Sequence, residues 1–570
     1  MFRKNNKFDQ RKLFSFIQNL PKCVKDAVYG SFAPDFYENI FKQIDEEKFR
    51  GLYSEKYSRP NKPVNMLVSL EIIKQLFGYT DQELIRTFYT DICVMCAVGV
   101  EDPGDVALAI RTLYYFRERV VEYDKKHGTS LINEVLNDIS EHLIDKHDID
   151  IRLQRMDSSM IEANIKVLTR LNIFVKVIHN FLKVIDKEIS ELPEELQSLS
   201  EKKNLDISHR LKKKEAEKKI NEFAEYAYLL YEKYKDNDKY NTTKRFKELK
   251  RLIEEQFDIT DDSDKGDIEV SLKDSKDVPS SSLQSPTDPD AAYSFKNRKH
   301  HSGYVGNFAE SCSKDNPFQV ITDVEVKPNN ISDKALLSES LKDDTSFVSE
   351  AEDLLTDGAY FGKETEKECD EAGMEIHLSG IRGKRNVKNN RNLADAIVED
   401  NKLIRCPAGQ KPTEQEYIEK EGKTAYIKGR FEMEKCLKCP MLKECFVKVN
   451  KTCVSFRFTL REYDIKSRRK KLDDPEYLKF VNLRSGAESM IYMIFYKIGK
   501  RTIFRGLHRV KNGILYRAIG VNLLRLRNYL KRTRAKQAKK ASISLSLKNI
   551  GRLFSLFCKS FRILIISVHN

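Results

Sequence analysis

The 570-residue chain contains no uncharged apolar run near the ~18 residues that a membrane-spanning helix requires, so a helical integral membrane protein is not expected. Its opening residues, MFRKNNKFDQ, lack the apolar stretch of a secretory signal. A cytosolic home is expected, in which the 11 cysteines would be reduced or metal-bound rather than paired in disulfides. Acidic side chains are missing from Ser489 to Asn570, a segment holding 19 Lys and Arg; against a formal net charge of +14, the rest of the chain carries 14 − 19 = −5. A one-signed segment of that size attracts polyanions, of which nucleic acid is the usual cytosolic one. A solvated helical face or a basic end is the plainer reading of the same run.

What is present points to several modules. The length exceeds one ordinary core and favours roughly two to four units, some built by insertion. Residues 1–125 read as helical, with Met66, Leu67, Leu70, Ile73, Leu76 and Phe77 at helical spacing. Gly78 interrupts the pattern, and Thr80 with Glu83 forms a capping box that would start a second helix through Leu84, Ile85 and Phe88. Two short helices about a glycine turn match a helix-turn-helix layout, although most such hairpins bind nothing.

From Asp148 the period becomes two: Ile149, Ile151 and Leu153 alternate with polar residues, predicting a strand that ends at Asp157 with that carboxylate on the apolar face. Residues 168–256 return to helix, with Phe174, Val177, Phe181 and Ile185 on one stripe and a break at Pro193, as in a helical insertion that serves as scaffold or dimer contact. Residues 257–290, rich in Asp, Ser and Pro, read as a flexible linker. Strands are then predicted over 293–308 and 318–326, a helix over 332–341, a short buried strand at Leu354 and Leu355 ending in Thr356, Asp357 and Gly358, and a strand over 374–378. That order is the order of a mixed five-stranded sheet with helices, the ribonuclease H-like arrangement.

Among 87 acidic residues, position has to select the few that do chemistry. Asp157 and Asp357 stand at the ends of two strands that lie side by side in such a sheet, so their carboxylates can meet. Phosphodiester cleavage needs an activated water or 3′-hydroxyl and a neutralised leaving oxygen. Two Mg²⁺ ions (or Mn²⁺) held by hard carboxylate oxygens supply both. Glu488, in LRSGAESMIYMIFYKI, is the candidate third ligand, and Arg484 four residues earlier would put a phosphate-binding guanidinium on the same helix face. The rival reading has Ser485 and Glu488 as a capping box that merely starts a helix.

At these residues the chain resembles the bacterial insertion-sequence transposases of the DDE class, in the branch called the eleven-eighty-two group. RPNKPVNMLVSLEIIKQLFGYTDQELIRTFYTD is similar to that family's N-terminal helical domain, and MDSSMIEANI to its first catalytic strand. DPDAAYSFKNRKHHSGYVGN and FQVITDVEVKPNNISDKALL resemble the next two strands and helix, and LLTDGAYFGKE the second-aspartate motif. The resemblance implies catalytic Asp157, Asp357 and Glu488 with Arg484. At the third motif the chain departs from the family, with Val481 and Phe495 where related enzymes often place Tyr and Lys. GLHRVKNGILYRAIGVNLLRLRNYL again resembles the family's closing helices.

Between the last predicted strand and Glu488 lie Cys406, Cys436, Cys439 and Cys445, with Cys453 as a spare. Cys436 and Cys439 form a CxxC knuckle that suits tetrahedral Zn²⁺, and the resemblance extends to CPAG and CLKCPMLKEC. Four thiolates would leave zinc no open position, so the expected role is structural. Ordinary buried thiols are the alternative.

The resulting expectation is a mixed α/β protein. Residues 1–125 form a helical DNA-binding domain; 145–167, 290–400 and 475–530 form a ribonuclease H-like catalytic domain; and 168–256 form a helical insertion. A linker covers 257–290, a cysteine-rich zinc insertion 401–460, and a basic tail 531–570. By resemblance the partners are double-stranded DNA, as terminal inverted repeats and target, within a homodimer or larger assembly in the bacterial nucleoid and away from any membrane. A DNA-binding descendant without activity and a ribonuclease H-like nuclease are the competing functions.

Overall fold

The computed structural model describes residues 1–6, 15–56, 59–202, 205–208, 211–262, 267–296, 298–343, 345–381, 393–420, 423–443, 445, 447–450 and 453–567, with side chains at all of these except 213, 259–262, 267–270, 420, 423 and 540–567. The chain divides into two compact units. One comprises Met1–Ile151, Ser158–Ser332 and the chain from Ile491 onward; the other comprises Arg152–Asp157 and Asp333–Met490.

In the first unit, the helix Val64–Phe77 is apolar enough to be buried nearly all round, with Val64, Met66, Leu67, Leu70 and Ile73 among its inaccessible residues. It packs against the helix Leu507–Ser567. Gly78 ends it at φ 74°, a left-handed conformation that a side chain would resist. Thr80 and Glu83 then make the expected reciprocal box, Thr80 N–H donating to the Glu83 carboxylate (2.8 Å) and Glu83 N–H to Thr80 Oγ1 (3.2 Å), and the helix Asp81–Thr90 follows. Charges buried beside this turn are paired. Arg117, from the helix Ile110–His127, donates to Glu71 (2.8 Å) and to Asp81, and Lys74 lies 2.7 Å from Asp81. Burial pushes the Asp81 carboxyl up, but hydrogen bonds from Arg117 and Lys74 outweigh it and hold the group at about 2.

The helices Arg170–Leu182, Lys213–Tyr234 and Lys244–Gln256 bury the predicted stripe of Phe174, Val177, Phe181 and Ile185, and Pro193 opens the short helix Glu194–Glu201. The first part of the segment 257–290, expected as a linker, is paired instead. Strand β2 (Phe257–Asp262) runs antiparallel to β3 (Asp267–Leu272), and Leu283 is buried in the same helical core. Polar composition misled here because a two-stranded ribbon needs few apolar residues when a neighbouring core covers its ends.

The main sheet has six strands rather than five. Strand β1 (Leu153–Glu162) passes through both units. Strands β4 (Ala292–Lys296), β5 (Lys299–Ser311) and β6 (Ile321–Pro328) are antiparallel neighbours, whereas β7 (Asp353–Thr356) and β8 (Glu375–Leu378) run parallel to one another and to β1. The order is β4-β5-β1-β7-β8, with β6 also on β5. The extra strand arises because the segment predicted as one strand over 293–308 folds back as the β4–β5 hairpin.

Two further expectations about β1 need correction. Asp148 closes the helix Leu131–His147 in a left-handed conformation (φ 49°), so β1 begins at Leu153. It runs on to Glu162, which puts Asp157 in mid-strand. The fully buried face of β1 carries Gln154 and Met156, and Asp157 shares the half-buried face with Leu153 and Arg155.

The second unit adds a fold that the cysteine-rich segment did not announce. Strands β9 (Ile397–Glu399) and β10 (Lys402–Arg405) pair with each other, and β11 (Glu414–Lys420), β12 (Lys423–Phe431), β13 (Lys448–Val449) and β14 (Val454–Thr459) form an antiparallel sheet in the order β11-β12-β14-β13. Leu403, Ile427, Phe431, Val454, Phe456 and Phe458 make its core. Thr459 and Glu462 cap the helix Leu460–Lys471 that leaves it. No helix among the described residues is long and apolar enough to cross a membrane.

Candidate active site

Within the second unit, β1 and β7 run parallel with partners Leu153↔Asp353, Gln154↔Leu354 and Arg155↔Leu355. Asp157 and Asp357 each lie two residues beyond the last of these pairs. Asp357 follows the last residue of β7 and opens a turn in which its Oδ1 accepts the Ala359 N–H (2.7 Å). Its carboxylate is thereby fixed locally, as is usual for an aspartate at a turn.

Arg484 lies in the 3₁₀ turn Asn482–Ser485, between the helices Pro475–Val481 and Gly486–Phe495. Its Nη2 stands 2.7 Å from Asp157 Oδ2, with both side chains more than four-fifths buried. The buried Nε of Arg484 has no hydrogen-bond partner. Glu488 is in the first turn of the next helix and is exposed to solvent. The structure therefore joins Asp157 to Arg484 by contact, with Glu488 one turn beyond Arg484.

Among the described residues, the one set of three or more ligand-type side chains whose donor atoms all lie within 4.8 Å of one another is Asp353, Glu375 and His377, at the opposite end of β7. Asp157, Asp357 and Glu488 do not draw together to that degree. The Asp353 set was not foreseen in the sequence, because its members come from two strands whose pairing only the fold reveals. His377 Nε2 is 2.7 Å from Asp353 Oδ1 and its Nδ1 is 3.2 Å from the Tyr477 hydroxyl, while the rings of Tyr477 and Phe480 pack against it.

The four expected cysteines come together. Cys406 begins the turn after β10, Cys436 lies in the short helix Met433–Leu437, and Cys439 and Cys445 follow. All four line one cavity of about 20 Å³ with Pro407, Phe431 and Met441. All are free thiols. Burial pushes the Cys436 thiol up, and the neighbouring charges of Cys406, Cys445 and Cys439 push it further. Thiolates gathered this way repel one another unless a cation neutralises them.

Residues 405–527 match the family described as "Transposase DDE domain", and residues 29–119 match "Transposase domain (DUF772)". The first match takes in the four cysteines, Arg484 and Glu488; the second takes in the capped helix pair about Gly78. No curated relative and no solved structure matches the chain. Two transposase families, matched in separate segments, identify the chain as an insertion-sequence DDE transposase, an enzyme that cuts and transfers DNA strands.

Proposed function

We propose that Asp157, Asp357 and Glu488 are the metal ligands of this transposase and that the sheet around β1 and β7 is a ribonuclease H-like core. The observation that carries the reading is the parallel register of β1 and β7, whose last pair is Arg155 with Leu355; continued by two residues it would bring Asp157 and Asp357, 200 residues apart, to one level. The donor set fits hard divalent cations: all three candidates are carboxylates, and a cationic guanidinium already sits against one of them. When bound there, a pair of Mg²⁺ ions supplies an activated water or 3′-hydroxyl and neutralises the leaving oxygen.

The chain's own groups have separate tasks. The carboxylates of Asp157 and Asp357 hold positive charge at a rigid sheet position. Glu488, exposed at the start of its helix, is free to close over substrate. Arg484 neutralises Asp157 in the absence of substrate, and its unpartnered Nε offers a further donor to a phosphate oxygen. The four cysteines are proposed to hold a structural Zn²⁺, which their shared cavity and mutual electrostatic coupling support.

Residues 1–125 would read the terminal inverted repeats through the exposed face of the helix Asp81–Thr90, and the basic stretch 531–570 would add phosphate contacts without sequence preference. Residues 145–167, 290–400 and 475–530 would form the catalytic domain, 168–256 a helical insertion and 401–460 the zinc-bearing insertion. Two element ends must be joined at once, so a dimer or larger assembly on DNA is expected.

The test compares wild type with Asp157→Asn and Asp357→Asn on labelled element-end duplex in Mg²⁺. Each substitution should reduce cleavage by about 10³-fold or more, the loss of several kcal/mol of metal-borne stabilisation. Undiminished cutting by either variant would reject this site.

A further inference from the structure

Along a strand, alternate residues share a face, so Arg155 and Asp157 both project from the half-buried side of β1. Both reach the same turn. Arg155 Nη1 donates to the carbonyl of Leu483 (2.6 Å), and Asp157 takes the guanidinium of Arg484, the next residue. We infer that Arg155 is a positioning residue for strand cleavage: by clasping Leu483 it sets the 482–486 turn, and with it Arg484 and Glu488, against the metal-binding aspartates. This rests on the active-site reading given above.

Gly486 supplies the second half of the argument. Its backbone is ordinary right-handed helix (φ −64°, ψ −20°), so no conformational need accounts for glycine. The need is space, since a Cβ there would overlap Nη1, Cζ and Nη2 of Arg155 together. The guanidinium thus occupies the space that a side chain at 486 would fill, two residues before Glu488. Leu483 also accepts the Gly486 N–H, so the one carbonyl takes two donors at the turn. Lysine could meet the carbonyl with one donor but could not stack as a planar fork.

The test uses the full-length protein, with Mn²⁺ as the probe ion. Arg155→Met removes the clasp, Gly486→Ala expels it without removing a charge, and Arg155→Lys is the conservative rescue. Mn²⁺ binding is followed by calorimetry without DNA, hydrogen exchange is measured over residues 482–490, and cleavage of element-end duplex is resolved into kcat and KM. Arg155→Met and Gly486→Ala should raise the Mn²⁺ needed for half-saturation about tenfold. Both should speed exchange in the 486–490 amides and lower kcat by about 10²-fold with KM little changed, as expected of a misplaced reacting group. Arg155→Lys should recover part of each.

If Mn²⁺ binding and exchange stay within about twofold of wild type in Arg155→Met, the inference fails, whatever happens to turnover. Should Gly486→Ala not fold, the two Arg155 variants, which add no bulk to the turn, decide the matter. Asp357→Asn serves as reference. If it still binds Mn²⁺ and cuts, the active-site reading itself is wrong. If it loses both while the Arg155 variants change neither, only the role of Arg155 is overturned.

Discussion

Two clusters of buried charge in this transposase are built in opposite ways. Around the helix Val64–Phe77, Arg117 bridges Glu71 and Asp81 while Lys74 also meets Asp81, and Asp81 is held at about 2 as a result. At β1, Asp157 meets Arg484, whose Nε is buried without a partner, while Glu488 stands outside in solvent. The first cluster is complete and needs nothing further. In the second, a cation of the protein's own rests against a carboxylate that we propose as a metal ligand. The compact ligand-type set among the described residues, Asp353, Glu375 and His377, is held by the Asp353–His377 contact and by Tyr477.

That contrast can be broken most forcefully at Glu488. Glu488→Gln should lower cleavage by about 10³-fold, as the two aspartate substitutions do, while leaving thermal unfolding unchanged because the side chain is exposed. An active Glu488→Gln would reduce the residue to a helix starter. The closed cluster should respond in the reverse manner. Arg117→Met strands the nearly inaccessible Glu71 carboxylate and should cost about 3 kcal/mol or more in chemical denaturation.

Acid attacks the same cluster more gently. The folded Asp81 carboxyl titrates at about 2, below its ordinary 3.8, so its contribution is fully present above pH ~4 and is lost as pH falls from there toward 2. The loss amounts to about 2 kcal/mol at 1.36 kcal/mol per unit. Asp81→Asn should flatten that part of the stability profile, and an unchanged acid limb would remove the assignment. The smallest effect is expected at the far end of β7. Asp353→Asn breaks a part-exposed pair worth about 1 kcal/mol and should leave element-end cleavage within twofold of wild type. A large drop in cutting there would mean that the compact set takes part in catalysis.

Legibility in the sequence followed contact range. The Thr80–Glu83 box, the stop at Gly78 and the apolar stripe through Phe174 and Phe181 depend on residues a few positions apart, and all are found in the structure. Strand limits were less legible. The alternation at Ile149 and Ile151 belongs to the link after a helix cap, and β1 runs five residues past Asp157. The β11–β14 sheet was missed because its strands lie in charged, cysteine-bearing sequence whose apolar residues, such as Phe456 and Phe458, occupy only one face. Arg155 gave no signal at all, since what marks it is a carbonyl more than 300 residues away, and Gly486 has a backbone that any residue could adopt.

By itself, the order of residues determined which helices start and stop, which side chains could ligate a metal, and the one-signed charge of the last eighty or so positions, because these depend on local geometry and chemical type. Only the tertiary structure decided that β1 pairs with β7 in the register Arg155 to Leu355, that Arg484 touches Asp157, and that four scattered cysteines share one cavity. Strand register and side-chain convergence are set by packing between segments hundreds of residues apart, and no periodicity within either segment encodes the distance between them.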